Sequence, residues 1–504
     1  MKKTMRVTAA ALCALLAVGA TACASEGSSS SASGSSSSSS SSASSSESVK
    51  EIEKPEKIVA MMDTAFGSMV DSKSWDAFEA KYKELTGIEL EMVKPDHQKY
   101  YEQVSLAFTS GSPPDVLEVG STFYPSYAAN GAFWDMTGAW DGSDLKASGI
   151  VTEKYVDALK IDGVLYGFPM AKGNGTLTYV RQDWLDNLGL SVPTNYEEFL
   201  NMLKAFTFDD PDKNGQNDTF GLTGAGLINT ETPYAIYLRE FYQDANPDFY
   251  LKDGKYIDGM SEPAMIEALT RMKEAYALGV VDKEIITNKT STARDKFYAN
   301  QVGTFNYWAG NWNVTLEDNV QATIPTAKLT AMAPIKETTY IERPPTSMSI
   351  TSSAKNPEGI FKYLFEYSHD GGEGQLLFTR GIEGVNYEKG ADGAYVQFPD
   401  PENEKKLFEK TFYAPELTIT KFDDPIKFDE RLVSSLDLFE KNSVIADVPR
   451  TSEIISQNLS ELIPIRANAI ANCVTGDVSP EDAVKQYQTD AAPFIEAILA
   501  DLNK

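Results

Sequence analysis

A chain of 504 residues is too long for one compact core, and its composition, 42% hydrophobic and 23% charged, is typical of a globular protein. Its formal net charge of −28 repels phosphate backbones, which argues against nucleic acid as a partner. Three cysteines and two histidines exclude a disulfide framework and a cysteine metal site, and no serine-hydrolase, zinc-protease or P-loop motif is present.

The N-terminus predicts export. Residues 1–22 begin with basic side chains and continue into an apolar run from Val7 to Ala20, shorter than the roughly 20 residues that span a bilayer. This is the pattern of a signal peptide. The segment ends in Ala22-Cys23, which resembles a lipobox, so Cys23 is predicted to carry a lipid anchor. The alternative is an ordinary signal peptide that is cleaved beside an unmodified cysteine.

Serine dominates residues 23–51. Such a composition cannot bury enough apolar surface to offset its ordering entropy, so it predicts a flexible linker. Together with a lipid on Cys23, this linker would tether a globular part to the extracytoplasmic face of the cell membrane.

The globular part begins with a strand–helix–strand pattern. The apolar run KIVAMM, starting at Lys57, predicts a buried strand. Trp75, Phe78 and Tyr82 then recur at helical spacing, and the segment IELEMV after Gly87 alternates apolar and acidic residues as a strand does. Such a unit predicts two parallel strands joined by a crossover helix.

This alternation continues to the C-terminus. PDVLEVG and YANQVGTF predict strands, YLKDGKYIDG predicts a hairpin, and helical spacing recurs in NYEEFLNMLKAF, PAMIEALTRMKEAYALG, NPEGIFKYLFEYS and PEDAVKQYQTDAAPFIEAIL. Alternating strands and helices predict an α/β fold. In open parallel sheets, ligands bind beyond the carboxyl ends of the strands.

Several segments, taken in order, resemble one family. They are WDAFEAKYKELTGIELEM, SGSPPDVLEVG, YAANGAFWDMT, the stretch from GVLYGFPMAKGNG through FDDPDKNGQNDTFGLTG, and GIEGVNYE. From about Lys57 to its C-terminus, the chain is similar to extracellular solute-binding lipoproteins of carbohydrate ABC importers (family 1 type), particularly the branch that binds alginate oligosaccharides.

This resemblance implies a two-lobed fold of the periplasmic-binding-protein type (type II), each lobe a mostly parallel sheet flanked by helices. It places hinge crossings near residues 166–171, 332–337 and 381–388. The first lobe would comprise 52–167 and 335–384, and the second 168–334 and 385–504. A ligand would lie between the lobes, and their closure would hide it from water.

The stretch DDPDKNGQNDTFG is rich in oxygen donors. They stand at alternate positions: Asp210, Asp212, Asn214, Gln216 (through its carbonyl) and Asp218. Calcium prefers such oxygen ligands, although Gly221 stands where an EF-hand has its bidentate glutamate. The branch that the chain resembles carries a structural calcium in a loop of this kind, so Ca²⁺ is predicted here. A polar turn without metal is the alternative.

The segment FNYWAGNWN concentrates groups that suit sugars, whose rings have apolar faces and hydroxyl edges. They are Tyr307, Trp308, Asn311 and Trp312, and they follow the predicted strand YANQVGTF. The resemblance places this segment in the cleft, although core packing explains one of the two tryptophans equally well.

Ten further residues are candidate ligand contacts, because they follow predicted strands, lie beside presumed crossings or, in the case of Arg343, sit in a polar, proline-flanked stretch. They are Asp63, Phe66, Ser121, Thr122, Tyr124, Lys172, Asn174, Arg343, Arg380 and Glu383. A helix cap is the alternative for the first of them. The arginines would either meet an acidic sugar or form structural ion pairs.

The sequence therefore predicts a substrate-binding lipoprotein of an ABC importer, a monomer that captures an oligosaccharide and delivers it unaltered to a membrane permease. One alternative is the same fold binding a peptide or another small solute, or serving as a ligand sensor. Another is a secreted polysaccharide-degrading enzyme, which needs two carboxylates flanking a cleft.

Overall fold

A computed structural model describes residues 52–63, 72–96, 99–121, 123–225, 238–391, 395–397, 415–421, 428–446 and 449–504. These residues belong to one compact unit that starts at Ile52. Cys23, Phe66 and Thr122 lie outside the described ranges, as do the predicted signal peptide and linker. Within those ranges, no helix is both long and apolar enough to cross a membrane.

Five strands form the first sheet. They are β1 (Lys57–Met61), β2 (Glu89–Val93), β3 (Val116–Val119), β6 (Phe168–Pro169) and β14 (Ser347–Ile350). Their order is β2-β1-β3-β14-β6, with β1 parallel to β2 and β3, and β14 antiparallel to β3 and β6. The predicted parallel strand–helix–strand unit is confirmed in β1 and β2.

Short helices and one small ladder surround the first sheet. They are α1 (Ser72–Thr86), α2 (Tyr100–Thr109), α3 (Tyr124–Ala129), α4 (Thr137–Asp141), α5 (Asp144–Ser148), α6 (Glu153–Asp157), β4 (Lys160–Ile161) with β5 (Val164–Leu165), α13 (Pro357–Ile360, continuing as a π-helical segment Phe361–Glu366) and α14 (Glu373–Arg380).

The second sheet has four strands: β7 (Thr176–Arg181), β8 (Phe220–Thr223), β11 (Val302–Trp308) and β12 (Leu329–Met332). Their order is β12-β7-β11-β8. β11 is parallel to β8, but β7 is antiparallel to both β11 and β12, so this sheet is mixed rather than mostly parallel. β7 enters from the first lobe at the edge where β11 ends, and it therefore runs in the opposite direction.

Further elements complete the unit. They are α7 (Gln182–Leu188), α8 (Tyr196–Phe208), α9 (Arg239–Tyr242), β9 (Phe249–Lys252), β10 (Lys255–Asp258), a 3₁₀ turn (Gly259–Ser261), α10 (Pro263–Ala277), α11 (Thr290–Tyr298), α12 (Asn311–Gln321), β13 (Tyr340–Glu342), β15 (Tyr387–Lys389), β16 (Tyr395–Gln397), a second 3₁₀ turn (Pro415–Leu417), α15 (Glu430–Asn442), β17 (Ser443–Ile445), α16 (Glu453–Thr475) and α17 (Pro480–Leu502).

Local sequence explains why the helices begin and which face they bury. In α1, Trp75, Phe78 and Tyr82 are each at most 2% exposed, because their spacing places them on one face against the first sheet. Helix α8 begins after Asn195, whose side chain accepts the N–H of Glu198 at 3.1 Å.

Buried apolar side chains form two clusters, one for each sheet, and the molecule is two-lobed. The first cluster draws on residues 58–170 and 348–378, together with Ile419, whereas the second draws on 177–340 and 432–502. Ile335 and Tyr340, assigned to the first lobe from the sequence, pack in the second cluster, and Ile419, assigned to the second lobe, packs in the first.

The described residues define two short crossings between the clusters. The first crossing, residues 170–175, joins β6 to β7, beside the predicted 166–171. The second crossing, 343–346, joins β13 to β14 and lies later than the predicted 332–337, since Tyr340 still packs in the second cluster. Farther along, Ile419 packs in the first cluster and the N–H of Lys421 donates to the carbonyl of Ile150 there at 2.8 Å, so the chain still contacts the first lobe beyond the predicted crossing at 381–388.

Candidate functional site

The first and second crossings run side by side at one edge of each sheet. Ser347, the residue that follows the second crossing, pairs with Val119 at the carboxyl end of β3. Gly175, which ends the first crossing, pairs with Glu342 just before the second crossing begins. We call this meeting point of the lobes the junction. It lies where open α/β sheets bind their ligands.

Trp308 lies at the junction, stacked against Arg343. It pairs with Thr176, the first residue of β7, and its ring centroid is 4.1 Å from the guanidinium carbon of Arg343. Asn174 links the two, because its Nδ2 donates to the carbonyl of Ala309 at 3.2 Å and its own carbonyl accepts the N–H of Arg343 at 3.0 Å. The structure thus brings three sequence-predicted residues together around a partly buried indole.

Lys172 lies in the first crossing, but its ammonium group has a partner. Its Nζ is 2.5 Å from Oε1 of Glu440 on α15, and its N–H donates to the carbonyl of Leu417 at 2.7 Å. Glu342 is 2% exposed and accepts the N–H of Gly173 at 3.0 Å, and burial raises the pKa of its carboxyl. These contacts brace the crossing, so Lys172 reaches a ligand only if its ion pair opens.

Trp312 belongs to a second aromatic group. Its ring stands nearly perpendicular to that of Tyr307, with 4.6 Å between centroids. Arg294 on α11, which the sequence did not single out, donates to the Tyr307 hydroxyl at 2.8 Å and lies 5.2 Å from the Trp312 ring. Successive side chains of β11 face opposite sides of the sheet, so Tyr307 and Trp308 point apart. The exposed Asn311 begins α12.

The first-lobe candidates lie at the carboxyl ends of β1 and β3. Asp63 is 4% exposed and Ser121 is partly buried. Tyr124 is fully buried, with its hydroxyl donating to the carbonyl of Leu159 at 2.7 Å, so a ligand cannot reach it in this conformation. The neighbouring Phe123 is 42% exposed.

Arg380 and Glu383, the two candidates near Gly381, also make contacts within the protein. Arg380 is fully buried, with its guanidinium carbon 5.2 Å from the ring centroid of Phe428, and it is therefore not a ligand contact in this conformation. Glu383 is exposed and lies 3.7 Å from the Lys389 ammonium group, a surface ion pair of small energetic weight.

Glu118 lies near the carboxyl end of β3, and its carboxyl group is buried. It is 1% exposed, and its Oε2 accepts the N–H of Asp63 at 2.9 Å, while its other oxygen has no hydrogen-bond partner among the described residues. Tyr100 donates to its backbone carbonyl at 2.7 Å. Burial, aided by the nearby Asp63 carboxylate, raises the pKa of the Glu118 carboxyl to about 8.

We expect this carboxyl to make the protein less stable as pH rises. Its pKa lies above the ordinary value of 4.5, so the folded protein keeps a proton that the unfolded chain releases between pH 4.5 and 8. The free energy of unfolding therefore falls through that window, by up to about 1.4 kcal/mol per pH unit. Melting temperatures of wild type and Glu118→Gln, compared from pH 5 to 8, should diverge, with wild type falling faster. Parallel curves would contradict a protonated Glu118.

The oxygen-rich loop does gather its carboxylates around one residue. Asn214 Nδ2 donates to Asp212 at 3.1 Å and to Asp218 at 3.3 Å, and its N–H donates to Asp210 at 3.0 Å. Burial raises the pKa of Asp212, and the neighbouring carboxylates add to that rise. Across the described residues, however, no group of three or more acidic, histidine or cysteine side chains is arranged to hold a metal ion.

This loop lies far from the junction. Asp212 accepts a hydrogen bond from Asn300 Nδ2 at 2.8 Å, and Asn300 Oδ1 accepts from Arg181 at 2.5 Å. Arg181 is the last residue of β7, whose first residue pairs with Trp308. Six residues of extended strand span roughly 17 Å. The loop is therefore connected to the second sheet at the end opposite the junction.

The chain is similar to known proteins along most of its length. The sequence profile of the bacterial extracellular solute-binding protein family matches residues 67–365, more than half of the chain. Lipoprotein LipO of Bacillus subtilis (strain 168) is 24% identical over 460 residues, which cover 84% of this chain and 87% of LipO. The polygalacturonan/rhamnogalacturonan-binding protein YtcQ of the same organism is 26% identical over 341 residues, or 62% of this chain and 64% of YtcQ.

Solved structures share the fold. The crystal structure of the alginate-binding protein AlgQ2 without calcium ion superimposes with a TM-score of 0.59 at 19% sequence identity. The match covers 90% of this chain and 99% of AlgQ2. The two-lobed α/β architecture expected from the sequence is therefore confirmed.

Proposed function

This chain belongs to the family of bacterial extracellular solute-binding proteins, and we propose that it captures an oligosaccharide between its lobes and passes it unaltered to an ABC permease. The observation that carries the proposal is the junction, where Trp308 stacks on Arg343 beside Asn174. An indole supplies an apolar plate for a sugar ring, while guanidinium and amide groups supply directional donors for its hydroxyl or carboxylate edges.

Two carboxylates beside the crossings have structural partners, which supports binding rather than turnover. Glu342 accepts the N–H of Gly173, and Glu440 pairs with Lys172, so both carboxyl groups brace the crossing. A glycosidase would instead use two carboxyl groups that flank the scissile bond. The relative YtcQ is named as a binding protein, which supports the same conclusion.

A thermal-shift screen tests the proposal, because any cleft ligand stabilises the folded state by mass action. The panel comprises oligogalacturonides, alginate oligomers, fructo-oligosaccharides, malto-oligosaccharides and unrelated tripeptides. A rise in melting temperature with one saccharide class, without saccharide cleavage on overnight incubation, supports the proposal. A shift with peptides alone favours the same fold as a peptide receptor, and cleavage products would favour an enzyme.

The proposal includes an anchor at Cys23, which places the monomeric protein on the extracytoplasmic face of the membrane. The basic and apolar start of the sequence, the Ala22-Cys23 pair and the serine-rich linker support it, as does the similarity to a protein named lipoprotein. Cell fractionation of Cys23→Ala tests it. Release of the variant into the soluble fraction supports the anchor, whereas retention on membranes excludes it.

The proposal also assigns a structural Ca²⁺ to the loop that holds Asp210, Asp212, Asn214, Gln216 and Asp218. All of these donors are oxygen atoms, which suits calcium, and crowding of the carboxylates is relieved by a cation. The ion would replace the amide of Asn214 as the partner of two carboxylates. Calcium there would stabilise the loop without contacting a sugar.

Removal of divalent ions should therefore lower stability but not affinity. We expect a chelator to reduce the melting temperature by about 5 °C, because a bound ion adds about 2–3 kcal/mol to the free energy of unfolding at saturating concentration. Saccharide affinity, measured by calorimetry, should stay unchanged, since the loop lies at the far end of β7. The Asp212→Asn variant is the control, and its melting temperature should no longer respond to the chelator. If the chelator did not change the melting temperature of the wild-type protein, the loop would be a polar turn without metal.

A further inference from the structure

We infer that Phe123 and Tyr101 form an aromatic plate on the first lobe that receives the apolar face of a sugar ring. The inference rests on the proposed function and adds a first-lobe contact to the Trp308 side of the junction. None of the residues singled out from the sequence is part of this plate.

The two rings lie close together and are fixed in place. Their centroids are 3.9 Å apart with 32° between the planes, which is a tilted stack. The Tyr101 hydroxyl accepts the N–H of Gly120 at 3.0 Å, and the N–H of Phe123 donates to the carbonyl of Gly120 at 3.0 Å. Gly120 therefore holds both aromatic residues in place.

The Tyr101 hydroxyl approaches the backbone of Gly120 closely. A Cβ at this position would lie 3.1 Å from the Tyr101 hydroxyl oxygen, closer than most real contacts. The turn and the tyrosine are thus fitted to one another. A preorganised plate of this kind loses little conformational entropy when a ligand binds.

The plate stands at the junction. Gly120, which bonds to both aromatic residues, directly follows Val119 at the end of β3, and Val119 pairs with Ser347, which follows the second crossing. The same crossing begins with Arg343, which stacks on Trp308. The aromatic plate and the indole therefore flank one short crossing from opposite lobes, as the two sides of a ligand cleft do.

Exposure of Phe123 distinguishes it from ordinary core packing. Its side chain is 42% exposed although the ring has a stacked partner, so Tyr101 covers part of the ring and the rest faces solvent. Phe208, the other phenylalanine exposed to this degree within the described ranges, has no ring partner there. An exposed, backed and immobilised ring is the arrangement that sugar stacking requires. A phenyl ring carries no hydrogen-bonding group, so this contact would accept many sugars and leave selection to the Arg343 side.

Calorimetric titration of Phe123→Ala tests the inference, with the saccharide from the panel above that most raises the wild-type melting temperature as probe. We expect affinity to fall by about thirtyfold, as for a central aromatic contact, and Phe123→Tyr to stay within about threefold of wild type. Leu106→Ala is the matched control, because Leu106 is an exposed apolar residue of the same helix as Tyr101 and should leave affinity unchanged.

The outcomes separate this inference from the proposed function. Wild-type binding together with unchanged affinity of Phe123→Ala overturns the aromatic plate alone. Failure of wild type to bind any saccharide of the panel overturns the proposed function and the plate with it. Phe123→Leu provides a second test in case the alanine variant misfolds. It keeps an apolar side chain against Tyr101 but has no ring. Native-like affinity of Phe123→Leu would equally overturn the inference.

Discussion

Trp308→Ala is expected to weaken saccharide binding by about a hundredfold or more, while the protein still folds. The indole is the largest side chain at the junction, and Arg343 stacks on it at 4.1 Å. Its removal would take away the apolar plate and leave the guanidinium group without a support. Calorimetry with the best saccharide of the thermal-shift panel measures the loss, and circular dichroism checks the fold.

Two other tryptophans provide matched controls. Trp134 is partly buried in the first lobe. Its backbone N–H donates to the carbonyl of Ile350 at 2.8 Å, and Ile350 ends β14 on the side away from the junction. Trp134→Ala should keep its affinity. Trp312→Ala should lose little, because Trp312 packs against Tyr307 and Arg294 on the other face of β11. If Trp312→Ala abolished binding and Trp308→Ala did not, the ligand site would lie beside α11.

Gly173→Ala is expected to lower the free energy of unfolding by about 3 kcal/mol and the melting temperature by about 5 °C. A Cβ at Gly173 would lie 1.6 Å from the carbonyl oxygen of Arg343. The two crossings would have to separate, and the bond from the Gly173 N–H to Glu342 would be lost. Affinity should also fall, by about tenfold, since Asn174 and Arg343 are displaced together.

Gly138→Ala is the control for that experiment. Apart from the adjacent residues and the backbone of its own helix, no atom lies within 4 Å of a Cβ at Gly138, which sits in helix α4 of the first lobe. Alanine is the better helix former, so this variant should be as stable as wild type or slightly more stable. Wild-type stability and affinity in Gly173→Ala would mean that the two crossings need not lie so close.

Local patterns predicted most of the secondary structure. The helical spacing of Trp75, Phe78 and Tyr82 correctly predicted both a helix and its buried face. The run that precedes Trp308 does form a buried strand. The position of the second crossing was not predictable in the same way. Ile335 and Tyr340 are apolar residues that suit either core, so nothing local indicates which lobe they join.

Contacts between distant segments account for the remaining differences at the site. Strand β13 pairs with β17, a segment about a hundred residues later in the chain, and no local pattern marks that pairing. At the turn after β3, a shift of one position decides which aromatic side chain is buried, and the sequence does not indicate that it is Tyr124 rather than Phe123. Arg294 is an ordinary helix residue in the sequence, and only the fold brings it to Tyr307.

The pairing of the two crossings also limits how the lobes can move. The two crossings lie side by side and are joined by the Gly175–Glu342 bridge and by the hydrogen bond from the Arg343 N–H to the Asn174 carbonyl. We expect this pairing to resist sliding and twisting of the lobes more than bending. We therefore expect the lobes to move mainly by a change in the angle between them. A single pair of spectroscopic labels, one on each lobe, would suffice to follow that angle, and its distance distribution would report every degree of opening.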